Sequence, residues 1–116
     1  MSKEATAPAR SLPASIVGRL AKFFPAATPV RIPIKLTKAC GGSEALTEST
    51  VIEYGTPREV LFAARIPLEF ADMLRVQNSD GSLDTEASVV AVQYHNGTTA
   101  VAARFTQEVA NWIVKP

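Results

Sequence analysis

The sequence has little cysteine, few aromatic residues and almost no net charge. Because Cys40 is the only cysteine, an intramolecular disulfide and a cysteine-based zinc site are both excluded. The 12 Lys and Arg residues are balanced by 11 Asp and Glu residues, which leaves a net charge of +1, and aromatic residues make up 7%. Proteins that bind nucleic-acid polymers usually carry a clear basic excess and aromatic stacking platforms, so the composition argues against such a partner.

A long apolar run is also lacking. The best candidate, residues 16–24, is interrupted by Gly18, Arg19 and Lys22. It is too short and too charged for the core of a signal peptide or for a membrane span. We therefore expect a cytoplasmic protein without a transmembrane segment.

Residue clusters that carry catalysis are lacking too. The sequence shows no paired carboxylates and no metal-ligand cluster, and no P-loop lysine follows Gly41-Gly42. The one histidine, His95, has no orienting acid or nucleophile placed near it. We therefore expect a protein that is not an enzyme, with no catalytic residue, no metal and no cofactor.

Length and hydrophobic content predict one folded domain preceded by an arm. The chain has 116 residues, of which 47% are hydrophobic, enough for a core without disulfides. Residues 1–29 contain four cations and one carboxylate and are punctuated by prolines. The sequence thus predicts a basic N-terminal arm over 1–29 and a domain over 30–116.

Within the arm, residues 14–24 have the pattern of a short amphipathic helix. Its apolar residues recur at three- and four-residue spacing: Ile16, Leu20, Phe23 and Phe24. Ser11 is a candidate N-cap, and Pro25 ends the pattern. About three turns are marginal alone, so the helix needs something to pack on. The candidates are the protein's own core, a second chain or an anionic membrane surface, and we expect these four residues to contact a partner.

After Val30 the period changes from that of a helix to that of a strand. The sequence predicts six strands: 30–38, 48–54, 58–65, 72–78, 83–95 and 98–106. Their even spacing and short linkers favour a small antiparallel barrel or sandwich.

The last two strands form the clearest hairpin. Asn96-Gly97 is a typical type I′ turn, which pairs His95 with Thr98. Continued without a break, this register pairs Val90 with Ala103 and Ser88 with Phe105. It then predicts one core-facing set: Val90, Val92, Tyr94, Val101 and Phe105. The opposite, exposed face carries Gln93, His95, Arg104 and several alanines.

The first strand alternates apolar and polar residues. Arg31 and Lys35 lie on its polar side, about 13 Å apart. They are either part of a solvated face or two contacts for a large anion. Pro33 cannot donate to a ladder, so either this is an edge strand or the position of the missing donor points to solvent.

The end of the chain has apolar residues at helix-like spacing. Phe105, Val109, Trp112 and Ile113 predict a short helical turn that plugs one end of the barrel.

Several segments together resemble a known family. They are Arg31–Leu36, Thr50–Ile52, Val60–Phe62, Ile66–Leu74, Ser88–Tyr94, Ala100–Phe105 and Asn111–Ile113. In order and spacing, residues 30–116 resemble the PilZ domain, a bacterial fold that binds cyclic di-GMP. The resemblance implies a mainly β protein: a six-stranded antiparallel PilZ-like β-barrel with a short N-terminal helix and a short C-terminal helical turn.

The first ligand motif of that family, RxxxR, is incomplete here. If Arg31 fills its second arginine position, the first falls on Ala27; if Arg31 fills the first, the second falls on Lys35. Either way one guanidinium is missing, and an ammonium cannot reproduce its bidentate fork.

The second motif, (D/N)xSxxG, has also changed. In one frame its key positions hold Tyr54, Thr56 and Glu59; in another they hold Thr50, Ile52 and Gly55. In the first frame only Thr56 is a conservative replacement. Glu59 would repel a dianionic ligand unless Arg58 offsets its charge.

The resemblance therefore implies a degenerate PilZ-like domain. It is expected to act as a non-catalytic protein-interaction module in bacterial cyclic di-GMP-related, surface or motility signalling, with cyclic di-GMP binding lost or weak. The alternative is a cyclic di-GMP receptor with an atypical site. In that case Arg31, Lys35, Thr56 and Arg58 would bind the ligand. The partner would otherwise be an unknown protein or a second copy of the chain.

Overall fold

Six antiparallel strands close into a barrel in the computed structural model of this chain, which describes residues 15–39, 44–109 and Trp112. The strands are β1 Thr28–Ala39, β2 Ala45–Gly55, β3 Glu59–Ala64, β4 Met73–Asn78, β5 Asp84–His95 and β6 Thr98–Phe105. Around the barrel they follow the order β1-β2-β3-β6-β5-β4. The predicted mainly β, six-stranded antiparallel barrel is confirmed, and the architecture is consistent with a PilZ-like barrel.

The inward-facing residues form the main core. Phe62, Leu36, Ile52, Val76 and Val101 are fully buried in it. The predicted alternation along β1 is confirmed, because Ile34 and Leu36 are buried while Arg31 and Lys35 are exposed.

Pro33 marks the place where β1 loses one neighbour. β1 pairs with β2 from Thr28 to Ala39, but it pairs with β4 only from Ile34 to Thr37. Pro33 lies just outside that second ladder, as expected for a residue without an N–H. Residues 28–33 are therefore paired with β2 alone in the described part of the chain.

A short helix, α1 Ile16–Ala21, packs on the outside of the barrel. Its N-cap is Ser15, whose hydroxyl accepts the N–H of Gly18 at 3.0 Å. The candidate cap Ser11 lies outside the described residues. The helix is shorter than the predicted 14–24, because its last residues form turns, with Phe24 N–H bonded to the oxygen of Ala21. Within the described residues, no helix is long and apolar enough to cross a membrane.

The last hairpin follows the predicted register only near its turn. His95 pairs with Thr98, and Val92 pairs with Val101, as predicted. A bulge between Val89 and Ala91 then shifts the register by one residue. Ala103 consequently pairs with Val89 instead of Val90, and Phe105 pairs with Ala87 instead of Ser88.

Two members of the predicted core face, Val90 and Tyr94, are wrong, the first because of the bulge and the second because of its position. Val90 turns outward and packs under α1, whereas Val89 is buried in the main core. Tyr94 remains 67% exposed, because it lies beside the turn at the open end of the hairpin. The face that was expected to be exposed carries the buried Ala100 and Ala102, since α1 covers it.

After β6 the described chain bends at Thr106 and Gln107 and shows no helix through Val109. The rest of the predicted helical turn, apart from Trp112, lies outside the described residues, as does Cys40. Trp112 is buried in the main core, with its ring edge-on to Phe105 at 5.4 Å.

Candidate binding site

The structure brings two of the four predicted ligand residues together at one end of the barrel. Thr56 and Arg58 lie in the β2–β3 turn, and the start of β1 lies beside it because Thr28 pairs with Gly55. Arg31 lies in the β1 bulge, within three residues of Thr28. Lys35 is not part of this group, since it pairs with Ser49 farther along β2.

The Thr56 hydroxyl is already fully used by the turn itself. It accepts the N–H of Arg58 at 3.0 Å and that of Glu59 at 2.8 Å. It donates to Glu59 Oε1 at 2.8 Å, and only 4% of the residue is exposed. Thr56 therefore stabilises the turn and offers little to a ligand.

Glu59 is neutralised by a residue that the sequence did not indicate. Its Oε2 accepts from Arg104 Nη2 at 2.7 Å and from Arg104 Nε at 3.0 Å. Arg104, directly opposite on β6, offsets the charge for which Arg58 was the sequence candidate. Within the described residues, the guanidinium groups of Arg31 and Arg58 make no ion pair and are exposed to solvent.

Trp112 seals the same end of the barrel. Its Nε1 donates to the backbone oxygen of Thr56 at 3.0 Å, and its ring lies against Gly55. The indole thus fills the space inside the β2–β3 turn. A ligand at this end would have to bind on the outer surface, where Arg58 lines a shallow pocket together with Arg104 and Thr106.

The predicted partner residues of the helix divide into buried and exposed ones. Leu20 is 4% exposed and packs with Val17 on the barrel, while Ile16 and Phe24 are partly buried against the same cluster. Phe23, in contrast, is 73% exposed. Of these residues, Phe23 alone presents most of its side chain to solvent.

A groove of about 360 Å³ lies where β1 and β4 separate. Its lining residues are Pro33, Ile34, Lys35, Ser49, Thr50, Gln77, Asn78 and Ser79. The sequence indicated Lys35 and missed Ser49, Gln77 and Ser79. No local signal could have found these three, because they come from different strands and only the barrel register brings them to Lys35.

The turn between β3 and β4 is held by Asp72. Its Oδ2 accepts from Lys38 Nζ at 3.0 Å and from the N–H of Glu69 at 2.8 Å. Lys38 also donates to the oxygen of Pro67 at 2.8 Å. The hydrogen bond from Lys38 and that from Glu69 hold the pKa of Asp72 below its ordinary value. Ala71 adopts a left-handed φ of 75° in this turn.

Other ionisable groups also have structural partners. The pKa of Asp84 is lowered by its hydrogen bonds from Arg75, and that of Asp80 by those from Ser82. His95 is exposed beside the hairpin turn, as predicted. Among the described residues, no three His, Cys, Asp or Glu side chains are grouped so that they could hold a metal ion.

No protein-family model matches the chain, and no curated protein matches it. Among solved structures, the chain is similar to the Bacillus subtilis inhibitor of motility (MotI/DgrA), with a TM-score of 0.53. The two are 13% identical, over 73% of this chain and 43% of that one. At this identity the likeness shows the fold alone, and the chain spans less than half the length of the motility inhibitor.

Proposed function

We propose that this chain is a non-catalytic PilZ-like module that acts by contacting another protein in bacterial signalling, in pathways that control motility or surface behaviour. It works in the cytoplasm, and its binding of cyclic di-GMP is lost or weak. The similarity of its barrel to an inhibitor of motility supports this setting. The contact is made with an unidentified protein or with a second copy of the chain.

The observation that carries the proposal is the position of Phe23. The apolar side chains Val17 and Leu20 anchor α1 to the barrel, yet Phe23 projects from the following turn and is 73% exposed. The exposed cations Arg19 and Lys22 flank it. An aromatic side chain on an anchored element loses little entropy on binding, and such residues are common anchors of protein interfaces.

The closed Thr56 turn supports weak cyclic di-GMP binding. A polar loop that recognises a guanine edge needs free donors or acceptors, and the Thr56 hydroxyl already makes three hydrogen bonds. The lack of free groups in this turn lowers its affinity for a guanine base.

The first test is isothermal titration of cyclic di-GMP into the folded chain at moderate salt. We expect no saturable heat at micromolar ligand, with folding confirmed by circular dichroism. Saturable binding of one or two ligands per chain would overturn this part of the proposal.

The contact itself is tested by a Phe23→Ser variant. We expect overproduction of the wild-type chain in its own bacterium to change the spread of swimming cells in soft agar, and Phe23→Ser to abolish that effect. Sedimentation velocity of both purified chains separates self-association from binding to another protein. Equal motility effects of the two chains would exclude Phe23 as the contact.

A cyclic di-GMP receptor with an atypical site is the second candidate. It is favoured by Arg31 and Arg58, two exposed arginines that have no ion-pair partner among the described residues. If titration reveals binding, Arg31→Ala and Arg58→Ala should each weaken it at least tenfold. Lys22→Ala, which removes an exposed cation from the helix, should leave it unchanged.

A further inference from the structure

The groove between β1 and β4 arises from the sequence of β1. The β1–β4 ladder ends at the pair Ile34 and Asn78, and β4 itself ends there. The next residue of β1 is Pro33, which has no N–H with which to continue the ladder. The strands therefore separate, and the chain after Asn78 forms one wall of a groove of about 360 Å³ that is open to solvent.

Three polar side chains form a row beside this gap. Lys35 lies directly opposite Ser49 on β2 and directly opposite Gln77 on β4. Facing residues on neighbouring antiparallel strands have Cβ atoms about 4.5–5.5 Å apart and point to the same side of the sheet. An ammonium, a hydroxyl and an amide thus converge on the outer face, and Ser79 adds a second hydroxyl from the groove wall.

The side chains of this row, unlike the other polar side chains that line the groove, form no hydrogen bond within the described residues. Within the described residues, the side chains of Lys35, Ser49, Gln77 and Ser79 make no hydrogen bond or ion pair.

The other polar residues of the wall are satisfied by the protein. Thr50 donates to the oxygen of Ala63 at 2.7 Å, and Asn78 Oδ1 accepts the N–H of Leu83 at 3.0 Å. The wall is therefore fixed by internal bonds, while the row beside it is free to bind a ligand.

The positive charge of the groove favours an anionic ligand. No carboxylate lines it, whereas Lys35 places one positive charge in it. Three acidic residues lie near the row, and each has a partner in the protein. Glu48, next to Ser49, accepts the N–H of Arg65 at 2.8 Å, and Asp80, next to Ser79, accepts the N–H of Ser82 at 2.8 Å. Asp84, opposite Gln77 on β5, forms an ion pair with Arg75. An ammonium, an amide and two hydroxyls are hydrogen-bond donors, and they suit an anionic group with several acceptor oxygens.

We propose that this groove binds a small molecule through a single phosphate or carboxylate group. Lys35, Ser49 and Gln77 donate to the anionic oxygens, and the ring of Pro33 supports the apolar part of the ligand. The volume is near the lower end for small-molecule sites, and it suits a ligand the size of a sugar phosphate better than a cyclic dinucleotide. This site is independent of the proposed partner contact at Phe23.

The test is a two-dimensional ¹H–¹⁵N NMR titration of the full chain at constant ionic strength, with inorganic phosphate in one arm and acetate in the other. We expect saturable shifts of the Lys35, Ser49 and Gln77 amides. Preference for phosphate or for acetate identifies the anionic group. Lys35→Gln should weaken binding at least tenfold without lowering the melting temperature, because Lys35 is exposed. Lys22→Gln, which removes one exposed cation elsewhere, should leave the affinity unchanged.

Three outcomes would overturn the proposal. One is the lack of saturable shifts in either arm. Another is equal affinity of the Lys35→Gln and Lys22→Gln variants, which would indicate diffuse attraction to positive charge. The third is that cyclic di-GMP shifts the same amides at lower concentration than phosphate, which would make the groove part of a dinucleotide site.

Discussion

Gly55 and Trp112 fit together at one end of the barrel. The Trp112 indole occupies the space in which any side chain at position 55 would place its Cβ. The ring is held there by the hydrogen bond to Thr56 and by the edge-on contact with Phe105. Glycine is therefore required at position 55 by close approach of another residue.

Gly55→Ala should destabilise the protein through this contact. The added methyl group overlaps a buried ring whose movement would break its hydrogen bond to Thr56. We expect the free energy of unfolding to fall by about 1–3 kcal/mol, the usual cost of overpacking. Urea unfolding of both chains measures it.

The same Gly55→Ala substitution is then tested in a Trp112→Ala chain, from which the contacting ring has been removed. Trp112→Ala alone should lower the free energy of unfolding by about 3–5 kcal/mol, because it removes a buried aromatic side chain. Added to that variant, Gly55→Ala should cost under about 1 kcal/mol, since the clash is gone. If the losses in unfolding free energy from the two substitutions simply add, Gly55 and Trp112 are not in contact.

Leu20→Ala should destabilise the whole barrel. Leu20 is buried against Leu61 and Ala102, so its truncation leaves a cavity between α1 and the sheet. We expect a loss of about 2–5 kcal/mol in the free energy of unfolding, measured by urea denaturation. Phe23→Ser is the control on the same segment, and it should change stability by less than about 0.5 kcal/mol because Phe23 is exposed. Equal losses for the two variants would show that α1 is not packed as described.

Asp72→Asn should destabilise the protein in a pH-dependent way. The Lys38 hydrogen bond lowers the pKa of Asp72, so its contribution to stability is present at neutral pH and above the unfolded-state pKa of about 4. It is lost as the pH falls through the lower folded-state pKa. The difference in unfolding free energy between wild type and Asp72→Asn should therefore shrink below about pH 4. A difference that is constant from pH 7 to pH 3 would exclude this ion pair as its source.

Gly97→Ala should weaken the last hairpin. Asn96 and Gly97 have φ angles of 49° and 84°, and a residue with a Cβ is strained at the second position. We expect a cost of about 1–2 kcal/mol in thermal or urea unfolding. Gly97→Asn should cost less, because asparagine tolerates the left-handed conformation better than alanine. The opposite order would show that the turn type changes on substitution.

The sequence determined the elements whose signals are local. Asn96-Gly97 defined the hairpin turn, because few residues accept positive φ at both central positions of that turn. The alternation from Ile32 to Leu36 defined the inner face of β1, since side chains alternate at every residue of a strand. From such signals the strand number and the barrel class could be predicted.

Only the tertiary structure decided the features that depend on distant residues. The β5 bulge changed which of Val89 and Val90 faces the core, and one extra residue leaves no clear mark in an apolar run. Arg104 rather than Arg58 neutralises Glu59, because β6 pairs with β3. The polar row beside the β1–β4 groove depends on the register, which places Ser49 and Gln77 on either side of Lys35. These outcomes depend on strand pairing between residues far apart in sequence, which no local pattern encodes.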